Sequence, residues 1–228
     1  MAQRRSFGRL ALRTLVVIAG VTVALILPLR WLPPLTTSFM IITWVTTPAG
    51  AGPMRYDWVS RAAISSNAPA AVMAAEDQKF FEHAGFDLDS IEKAYRYNQR
   101  SRHVKGASTI SQQVARTLFL TPARNWVRKG AEAYLTVLVE FVWPKKRILE
   151  AYLNLVDFGH GNFGAAAAAQ AYFRVPAAAM SPSQSARLAA ILPNPDKWKA
   201  TRAGKRRLNR AFARTHEATE NGMDWCVR

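Results

Sequence analysis

The stretch SSNAPAAVMAAEDQKFFEHAGFD, residues 65–87, decides the fold class, because its residues follow a helical pattern. A helix is predicted to begin near Asn67, since Pro69 would then lie early in it, where proline is tolerated. From residue 55 onward the pattern is helical almost throughout, without a hairpin, βαβ or repeat signal. We therefore expect a mostly α domain of about eight to ten short helices between residues 55 and 200.

The acidic residues of this stretch have two interpretations, one structural and one chemical. Glu76, Phe80 and His83 recur at helical spacing and are expected to share one face of a helix. Such a face can simply be solvated, with the phenylalanines in the core and the acids complementing the helix dipole. Alternatively, aromatic neighbours dehydrate Glu76 and raise its pKa, which makes it a usable general base near neutral pH.

Further helices are predicted from spacing and from start and stop signals. They are expected over 88–98, 108–120, 126–143, 145–156, 165–173 and from Ser181 or Ser183 to about Pro193. Thr109 and Gln112 form a capping signature at the start of the helix over 108–120. Between these helices lie a basic loop at 99–107, which we expect to be mobile and to cover a substrate site, and the glycine turn DFGHGNFG.

The composition favours an anionic partner. Lys and Arg number 31 against 15 Asp and Glu, for a formal net charge of +16. Such an excess favours nucleic acid, acidic phospholipid or a phosphorylated ligand, without choosing among them. Half of the residues are hydrophobic, which excludes a disordered chain. The single Cys226 cannot form an internal disulfide and has no zinc-ligand pattern beside it.

The N-terminus predicts a membrane anchor. Basic residues precede an apolar stretch at 15–29, which with the upstream LAL approaches the roughly 20 residues that span a bilayer. The basic residues place the N-terminus in the cytoplasm. We predict a basic cytoplasmic segment over 1–9 and an uncleaved signal anchor over 10–30, with a cleaved signal peptide or a buried core helix as alternatives.

Two further segments flank the predicted domain over 55–200. The segment 31–54 is too interrupted by Pro and Gly for a second span, and Trp31 and Trp44 would suit lipid headgroups; an ordinary linker is the equal alternative. The basic tail, 201–228, is predicted to be a solvated helix, with contact to an anionic membrane or another protein as the alternative.

A second constellation lies in GASTISQQVAR, residues 106–116. Gly106 leaves room for close backbone approach, and Ser108 and Thr109 are expected to expose hydroxyls and amides at a helix N-terminus. Such a terminus is a ready anion site. A capped helix whose polar residues point outward is the alternative.

Amide and cationic side chains follow along the same helix. Gln112 and Arg116 lie four residues apart and therefore on one face, with Gln113 beside them. Adjacent glutamines next to a cation could hold the hydroxyls of a sugar beside a phosphate.

Further cations gather after this helix. Arg128 and Glu132 form an i, i+4 pair, which alone is a routine surface interaction. The bunching of Arg124, Arg128 and Arg116 close in sequence to Glu76 is less usual. Guanidinium groups grip phosphate oxygens bidentately, and a pyrophosphate leaving group would need that neutralisation as its bond breaks.

The motifs together resemble one family. EDQKFFEHAGFD, KGASTISQQ, RKGAE and KKRILEAYLN occur in the order and spacing of the peptidoglycan glycosyltransferases, glycosyltransferase family 51, which polymerise lipid II. The match covers residues 65–195. The chain ends soon afterwards and no K-T-G motif follows, so it is most similar to the monofunctional biosynthetic members of Gram-negative-type bacteria.

The resemblance implies a fold and a reaction. The fold is mostly α, with a lysozyme-like helical head beside a smaller membrane-associated jaw, after one transmembrane helix. The reaction is an inverting transfer, in which the acceptor GlcNAc 4-hydroxyl attacks C1 of the donor MurNAc and undecaprenyl pyrophosphate leaves. Glu76 would be the base, and Glu132 would orient the cations or a bound metal; both are predicted as catalytic.

The resemblance also assigns substrate contacts. Arg116 and Arg124 would neutralise the pyrophosphate, although the family commonly has Lys-Asn where this chain has Arg116-Thr117, so the phosphate geometry must differ. Phe80 and His83 would shape the acceptor cleft. With the motif residues added, the predicted substrate-binding set is Phe80, His83, Gly106, Ser108, Thr109, Gln112, Gln113, Arg116, Arg124 and Arg128.

Cofactor, partners and location are expectations of the same resemblance. No tightly bound cofactor and no protein-only metal site is expected; Mg²⁺ or Mn²⁺ bridging the pyrophosphate and Glu132 stays open. The expected partners are lipid II, the growing glycan strand and inner-membrane lipids, not nucleic acid; penicillin-binding and division proteins stay open. The catalytic domain is expected in the periplasm, on a single-pass inner-membrane anchor.

Two rival functions fit part of the pattern. A hydrolase of the lysozyme or lytic transglycosylase kind also uses one Glu in a helical domain. A membrane-tethered basic adaptor for nucleic acid or division proteins would explain the charge without any chemistry.

Overall fold

The computed structural model describes residues 2–48, 52–101, 104–123, 125–198 and 200–202, together with positions 209, 211 and 213. Arg124, residues 102 and 103 of the basic loop, Cys226 and nearly all of the tail over 201–228 lie outside the described residues. Within the described ranges the chain forms helices joined by short turns and one small strand pair. The mostly α prediction is confirmed.

The α-helices are α1 (Ala2–Ile26), α2 (Ser38–Thr46), α3 (Asn67–Glu76), α4 (Leu88–Asn98), α5 (Ile110–Phe119), α6 (Trp126–Val142), α7 (Lys145–Leu155), α8 (Gly164–Phe173) and α9 (Pro182–Ile191). Strands β1 (Arg55–Tyr56) and β2 (Asn162–Phe163) pair in parallel. All the helices predicted between residues 67 and 193 form. Helix α2 and the strand pair were not predicted, because two-residue strands leave no alternation in the sequence.

Two packing units build the core. Helix α5 lies against both α6 and α7, and α3 packs along α9. In α5 the buried residues Ile110, Val114 and Leu118 recur every fourth position, which places them on one face. Helix α3 is buried on nearly every side, and its alanines allow a close approach to α9. The core therefore holds α3 and α5 rigidly, and both carry predicted site residues.

Helix α3 ends at Glu76, so the prediction that Glu76, Phe80 and His83 share one helix face is wrong. The next residue, Asp77, leaves the helical conformation, and its Oδ2 accepts a hydrogen bond from the backbone N–H of Ile110 at 3.0 Å. The first amides of a helix lack intrahelical partners and attract anions. Asp77 supplies an anionic acceptor to the first amide of α5. The chain leaves the helical conformation at Asp77, where this contact forms.

The glycine turn after α7 has a structural role. Asn154 is fully buried, accepts from the N–H of Val59 at 2.9 Å and donates to the carbonyl of Val59 at 3.0 Å. Gly164 lies directly against Asn154 with φ +84°, and a Cβ there would come within 2.4 Å of the Asn154 carbonyl oxygen. Only glycine fits that approach. The turn thus locks α8 and the chain before α3 onto α7.

The N-terminal helix is long and apolar enough to cross a membrane. The stretch Leu12–Arg30 has a mean hydropathy of 2.2, and only 6% of it is buried. A core helix would be covered, so that alternative does not fit. Its end is fastened to the domain, because Trp143 Nε1 donates to the carbonyl of Ile26 at 3.0 Å and the hydroxyls of Thr22 and Tyr134 lie 2.7 Å apart.

Candidate active site

Glu76 lies at the end of a helix, beside an amide and a cationic side chain. It is the last residue of α3 and is half-buried, so its carboxylate is partly dehydrated but still reachable. Burial raises the pKa of Glu76, while a hydrogen bond from Gln113 and the positive charge of Arg116 lower it and the neighbouring Asp77 raises it. The negative end of the helix dipole acts in the same direction as burial. A carboxylate with a raised pKa takes a proton more readily.

Gln113 is aimed at Glu76 by a third side chain. The Tyr152 hydroxyl, fully buried, donates to Gln113 Oε1 at 3.3 Å. That fixes the amide so that Gln113 Nε2 donates to Glu76 Oε2 at 2.8 Å. Gln113 was predicted as a donor-side contact; the structure brings it to the base instead. Burial, and then the charge of Glu76, raises the pKa of Tyr152 well above its usual range, so the phenol stays a donor.

The start of α5 is not an open anion site. The backbone N–H groups of Thr109 and Ile110 donate to Gln112 Oε1 and to Asp77, and Thr109 Oγ1 donates to the Gly85 carbonyl at 2.7 Å. Thr109 and Gln112 are buried, and together they form the predicted capping box. The expectation that Thr109 and Gln112 face substrate is therefore wrong, because both side chains are consumed in capping the helix.

Asp77 and His83 support the site from behind. His83 Nε2 lies 2.9 Å from Asp77 Oδ1, and both side chains are almost completely buried. Burial raises the pKa of Asp77, against the hydrogen bonds from His83 and Ile110. His83 thus holds the turn after α3 in place. Phe80 is 1% exposed and packs in the core, so its side chain lines no cleft.

A partly buried ion pair lies under the same turn. Lys145 Nζ donates to Glu140 at 2.7 Å and stands 4.4 Å from the centroid of the Phe80 ring. Ser111 donates to the same carboxylate oxygen of Glu140. These contacts join α5, α6 and α7 behind Phe80. They help to hold the turn after α3 in place.

Arg116 brings a cation beside the base. It lies three residues after Gln113 on α5, and its charge acts on both Glu76 and Tyr152. Its Nε is buried and has no hydrogen-bond partner among the described residues. The guanidinium stands over the ring of Phe39, with its central carbon 5.7 Å from the ring centroid. Arg116 is thus restrained by the ring, with its charge beside Glu76.

Glu132 is a buried counter-ion rather than a group that touches substrate. It is 1% exposed, and its two oxygens accept from Arg128 Nη1 and from Lys129 Nζ. Lys129 Nζ also lies 3.5 Å from Ser108 Oγ, before the start of α5. The prediction that Glu132 orients cations fits this geometry; the prediction that it is itself catalytic does not. Arg128 keeps a buried Nε without a partner in the described part of the chain.

Two predicted residues remain without a structural test. Arg124 lies outside the described residues. At Gly106 an added Cβ would meet nothing within 4 Å, so the chain itself does not require glycine there. Sequence reasoning also missed Asp77, Tyr152 and Lys129 as site residues. Only Lys129 carried a readable signal, its spacing of three residues from Glu132.

A separate open groove of about 720 Å³ lies beside β1 and α8. Its polar lining residues are Arg55, Asp57, Gln170 and Arg174, and no predicted site residue that the structure describes lines it. The chemistry-bearing residues therefore gather at the α3–α5 junction rather than at this groove.

Comparison with known proteins shows the family of this chain. The family model described as Transglycosylase matches residues 46–218. The chain is 47% identical over 216 residues to the biosynthetic peptidoglycan transglycosylase of Caulobacter vibrioides, covering 93% of this chain and 92% of that protein. The proteins of the same name from Pseudomonas syringae pv. syringae (46% over 199 residues, 86% and 84%) and Xanthomonas euvesicatoria pv. vesicatoria (49% over 190 residues, 82% and 76%) are similarly close. With that breadth of match, the chain belongs to the transglycosylase family and is a peptidoglycan glycosyltransferase.

Proposed function

We propose that this chain polymerises lipid II into linear glycan strands by inverting glycosyl transfer. The observation that carries the proposal is the half-buried Glu76, which Gln113 holds at 2.8 Å and the charge of Arg116 stabilises. A carboxylate so placed can take the proton of the attacking hydroxyl. A cation beside it can stabilise the charge of the leaving group. The names of the similar proteins, biosynthetic peptidoglycan transglycosylases, support the substrate class.

Glu76 would act on the acceptor. Its carboxylate takes the proton of the GlcNAc 4-hydroxyl, and the oxygen forms a bond to C1 of the donor MurNAc. Because burial raises the pKa of Glu76, the carboxylate is a stronger base than an exposed glutamate. Gln113 keeps the carboxylate in one orientation, which the proton transfer requires.

The cations would act on the donor. As the new bond forms, the bond from C1 to the phosphate oxygen breaks, and its electron pair leaves on undecaprenyl pyrophosphate. The charge of Arg116 lies beside Glu76, and Glu132 holds Arg128 and Lys129 in place. Fixed cations stabilise the developing charge without reorganising. Arg124 would join them, as the family resemblance implies.

A metal ion is not needed for this arrangement. Both oxygens of Glu132 accept from cationic side chains, so this carboxylate does not fit as a ligand that bridges Mg²⁺ or Mn²⁺ to the pyrophosphate. Guanidinium and ammonium groups supply positive charge at the same place. We therefore derive the reaction without a metal step.

The anchor would place the enzyme at its substrate. An apolar N-terminal helix is consistent with a single-pass anchor, and its basic flank favours a cytoplasmic N-terminus with the domain in the periplasm, at the inner membrane. A cationic domain beside an anionic lipid substrate also gains from the surface potential. Penicillin-binding and division proteins would work beside it on the same strands.

A hydrolase of the lysozyme or lytic transglycosylase kind remains the alternative to be tested against. It also needs one glutamate, but it would cleave preformed glycan and no pyrophosphate would leave. The positive charge of Arg116 beside Glu76 has no task in that reaction, which favours the synthetic direction.

The decisive experiment supplies purified lipid II to the full-length protein in detergent and separates the products by size. We expect polymer from the wild type, none from Glu76→Gln, and wild-type amounts from Glu82→Gln, which changes an exposed acid of the same turn. Preformed glycan is offered in parallel. Shortened glycan without polymer would establish a hydrolase, and polymer from Glu76→Gln would overturn the assignment of the base.

A further inference from the structure

Helix α2 is fastened to the end of the helix that carries the site residues. Ser38, its first residue, shares one hydroxyl hydrogen between the carbonyls of Thr117 at 3.1 Å and Leu120 at 2.6 Å. The last carbonyls of a helix lack intrahelical partners, so this contact caps the C-terminal end of α5. Any shift of α2 is therefore transmitted to α5.

The second residue of α2 reaches the cation of the site. Phe39 is half-buried against the core, and the Arg116 guanidinium stands over its ring at 5.7 Å. A cation over the face of an aromatic ring is attracted to it, and this contact restrains an otherwise flexible side chain. Among the described residues no other group satisfies Arg116 Nε, although that atom is buried. The ring of Phe39 thus restrains the guanidinium of Arg116.

The opposite face of α2 is apolar and uncovered. Ile41, Trp44 and Val45 are 50%, 73% and 68% exposed, and they follow the spacing of one helix face. Thr37 caps the helix and Met40 is buried on the other side. Helix α2 follows the apolar helix α1 after eleven residues. One side of α2 is thus apolar and uncovered, while the other contacts Arg116.

We propose that Phe39 is a positioning residue for the lipid-linked donor. Through its contact with Arg116 it positions the guanidinium for the pyrophosphate of a polyprenyl pyrophosphate, and α2 would bring that contact to the membrane surface. The inference rests on the proposed function for the identity of the ligand. It adds a residue upstream of every motif that carries the resemblance.

The test measures binding rather than turnover. Full-length protein in detergent is titrated with undecaprenyl pyrophosphate, and with undecaprenol as the lipid without phosphate. Phe39→Leu keeps apolar volume but removes the ring; we expect it to weaken pyrophosphate binding about 3- to 10-fold, with undecaprenol binding unchanged. Phe39→Tyr keeps the ring and should bind as the wild type does. Phe141→Leu makes the same change at a ring of α6 that is 85% exposed; it is the matched control and should also bind normally.

A double substitution shows whether Phe39 acts through Arg116. Arg116→Gln removes the cation, so adding Phe39→Leu to it should weaken binding by less than about 2-fold further. An unchanged affinity in Phe39→Leu, or an equal loss in the Arg116→Gln background, overturns the proposal. So does a wild type that binds the pyrophosphate no better than undecaprenol.

The outcome is separable from that of the proposed function. In the lipid II assay, Phe39→Leu should raise the KM for lipid II with a smaller change in kcat, whereas loss of the base lowers kcat. Wild-type protein that binds the pyrophosphate but makes no polymer would refute polymerisation and leave the role of Phe39 standing. Polymerisation with a Phe39→Leu variant that binds and turns over normally would refute only the role of Phe39.

Discussion

Two glutamates of this protein have the same chemistry and opposite surroundings. Glu76, at the end of α3, is half-buried and receives one neutral hydrogen bond, from Gln113. Glu132, inside α6, is 1% exposed and is held by Arg128 and Lys129. A carboxylate with few partners and partial burial can exchange a proton, whereas one with two cationic partners is fixed as a counter-ion. The environment, not the residue type, assigns the roles.

The largest expected effect is that of Glu76→Gln. We expect turnover of lipid II to fall at least about 10²-fold, because the acceptor hydroxyl loses its base. The thermal unfolding temperature in detergent should stay the same or rise, since an incompletely compensated buried charge is removed. Polymerisation and melting are measured on one preparation. A large loss of stability would show that Glu76 is a structural acid like Glu132.

The second prediction is the reverse for Glu132: a large loss of stability and a smaller loss of activity. Glu132→Gln should destabilise the fold by roughly 2–4 kcal/mol, because two cations, one of them largely buried, lose their counter-ion. The value of kcat/KM should fall less than in Glu76→Gln. The fall should come mainly from a higher KM, because the cations would no longer be fixed for the donor. Thermal unfolding and lipid II kinetics measure both. If Glu132→Gln melts normally and loses kcat alone, the assignment of Glu132 as a counter-ion is wrong.

A third prediction concerns the pH dependence of the base. The hydrogen bond from Gln113 lowers the pKa of Glu76, so Gln113→Ala should raise that pKa further. Since the base works only when ionised, the acid limb of the kcat/KM profile should move to higher pH. Tyr152→Phe removes the hydroxyl that orients the amide and should shift the limb in the same direction by less. A limb that stays in place or moves to lower pH would contradict the contact.

The smallest effect comes from Asp157, a partly buried carboxyl that accepts from the N–H of Gly159. Burial raises the pKa of Asp157 to about 6, from 3.8. The folded state therefore holds a proton that the unfolded state has lost, and this stabilisation disappears as the pH rises from about 4 to 6. Asp157→Asn, which can still accept from the N–H of Gly159, should be more stable than the wild type by roughly 1–2 kcal/mol at pH 7.

Unfolding of both proteins at pH 4 and pH 7 in the same detergent tests this prediction. The two should differ little at pH 4, where the aspartate is protonated in either state. A difference that is equal at both pH values would place the effect in packing rather than in the proton.

The elements that followed from local pattern were predicted well. Helices α4 to α9 can be predicted from apolar spacing and from caps such as Thr109–Gln112, because these signals act within a few residues. Helix α2 was missed because its residues are apolar on both sides and no polar face marks its period. The end of α3 was missed because Asp77 accepts a hydrogen bond from the N–H of Ile110, which lies 33 residues later.

The sequence by itself determined the helical class, the apolar N-terminal helix, the family and Glu76 as the candidate base, because each depends on residue types at short, fixed spacing. Only the tertiary structure decided which polar side chains are free for chemistry. Thr109 and Gln112 cap helix α5, and Phe80 packs in the core. Glu132 pairs with two cations. Gln113, in contrast, is oriented toward Glu76 by Tyr152. The reason is that burial and partners come from contacts distant in sequence, and these set how each group can act.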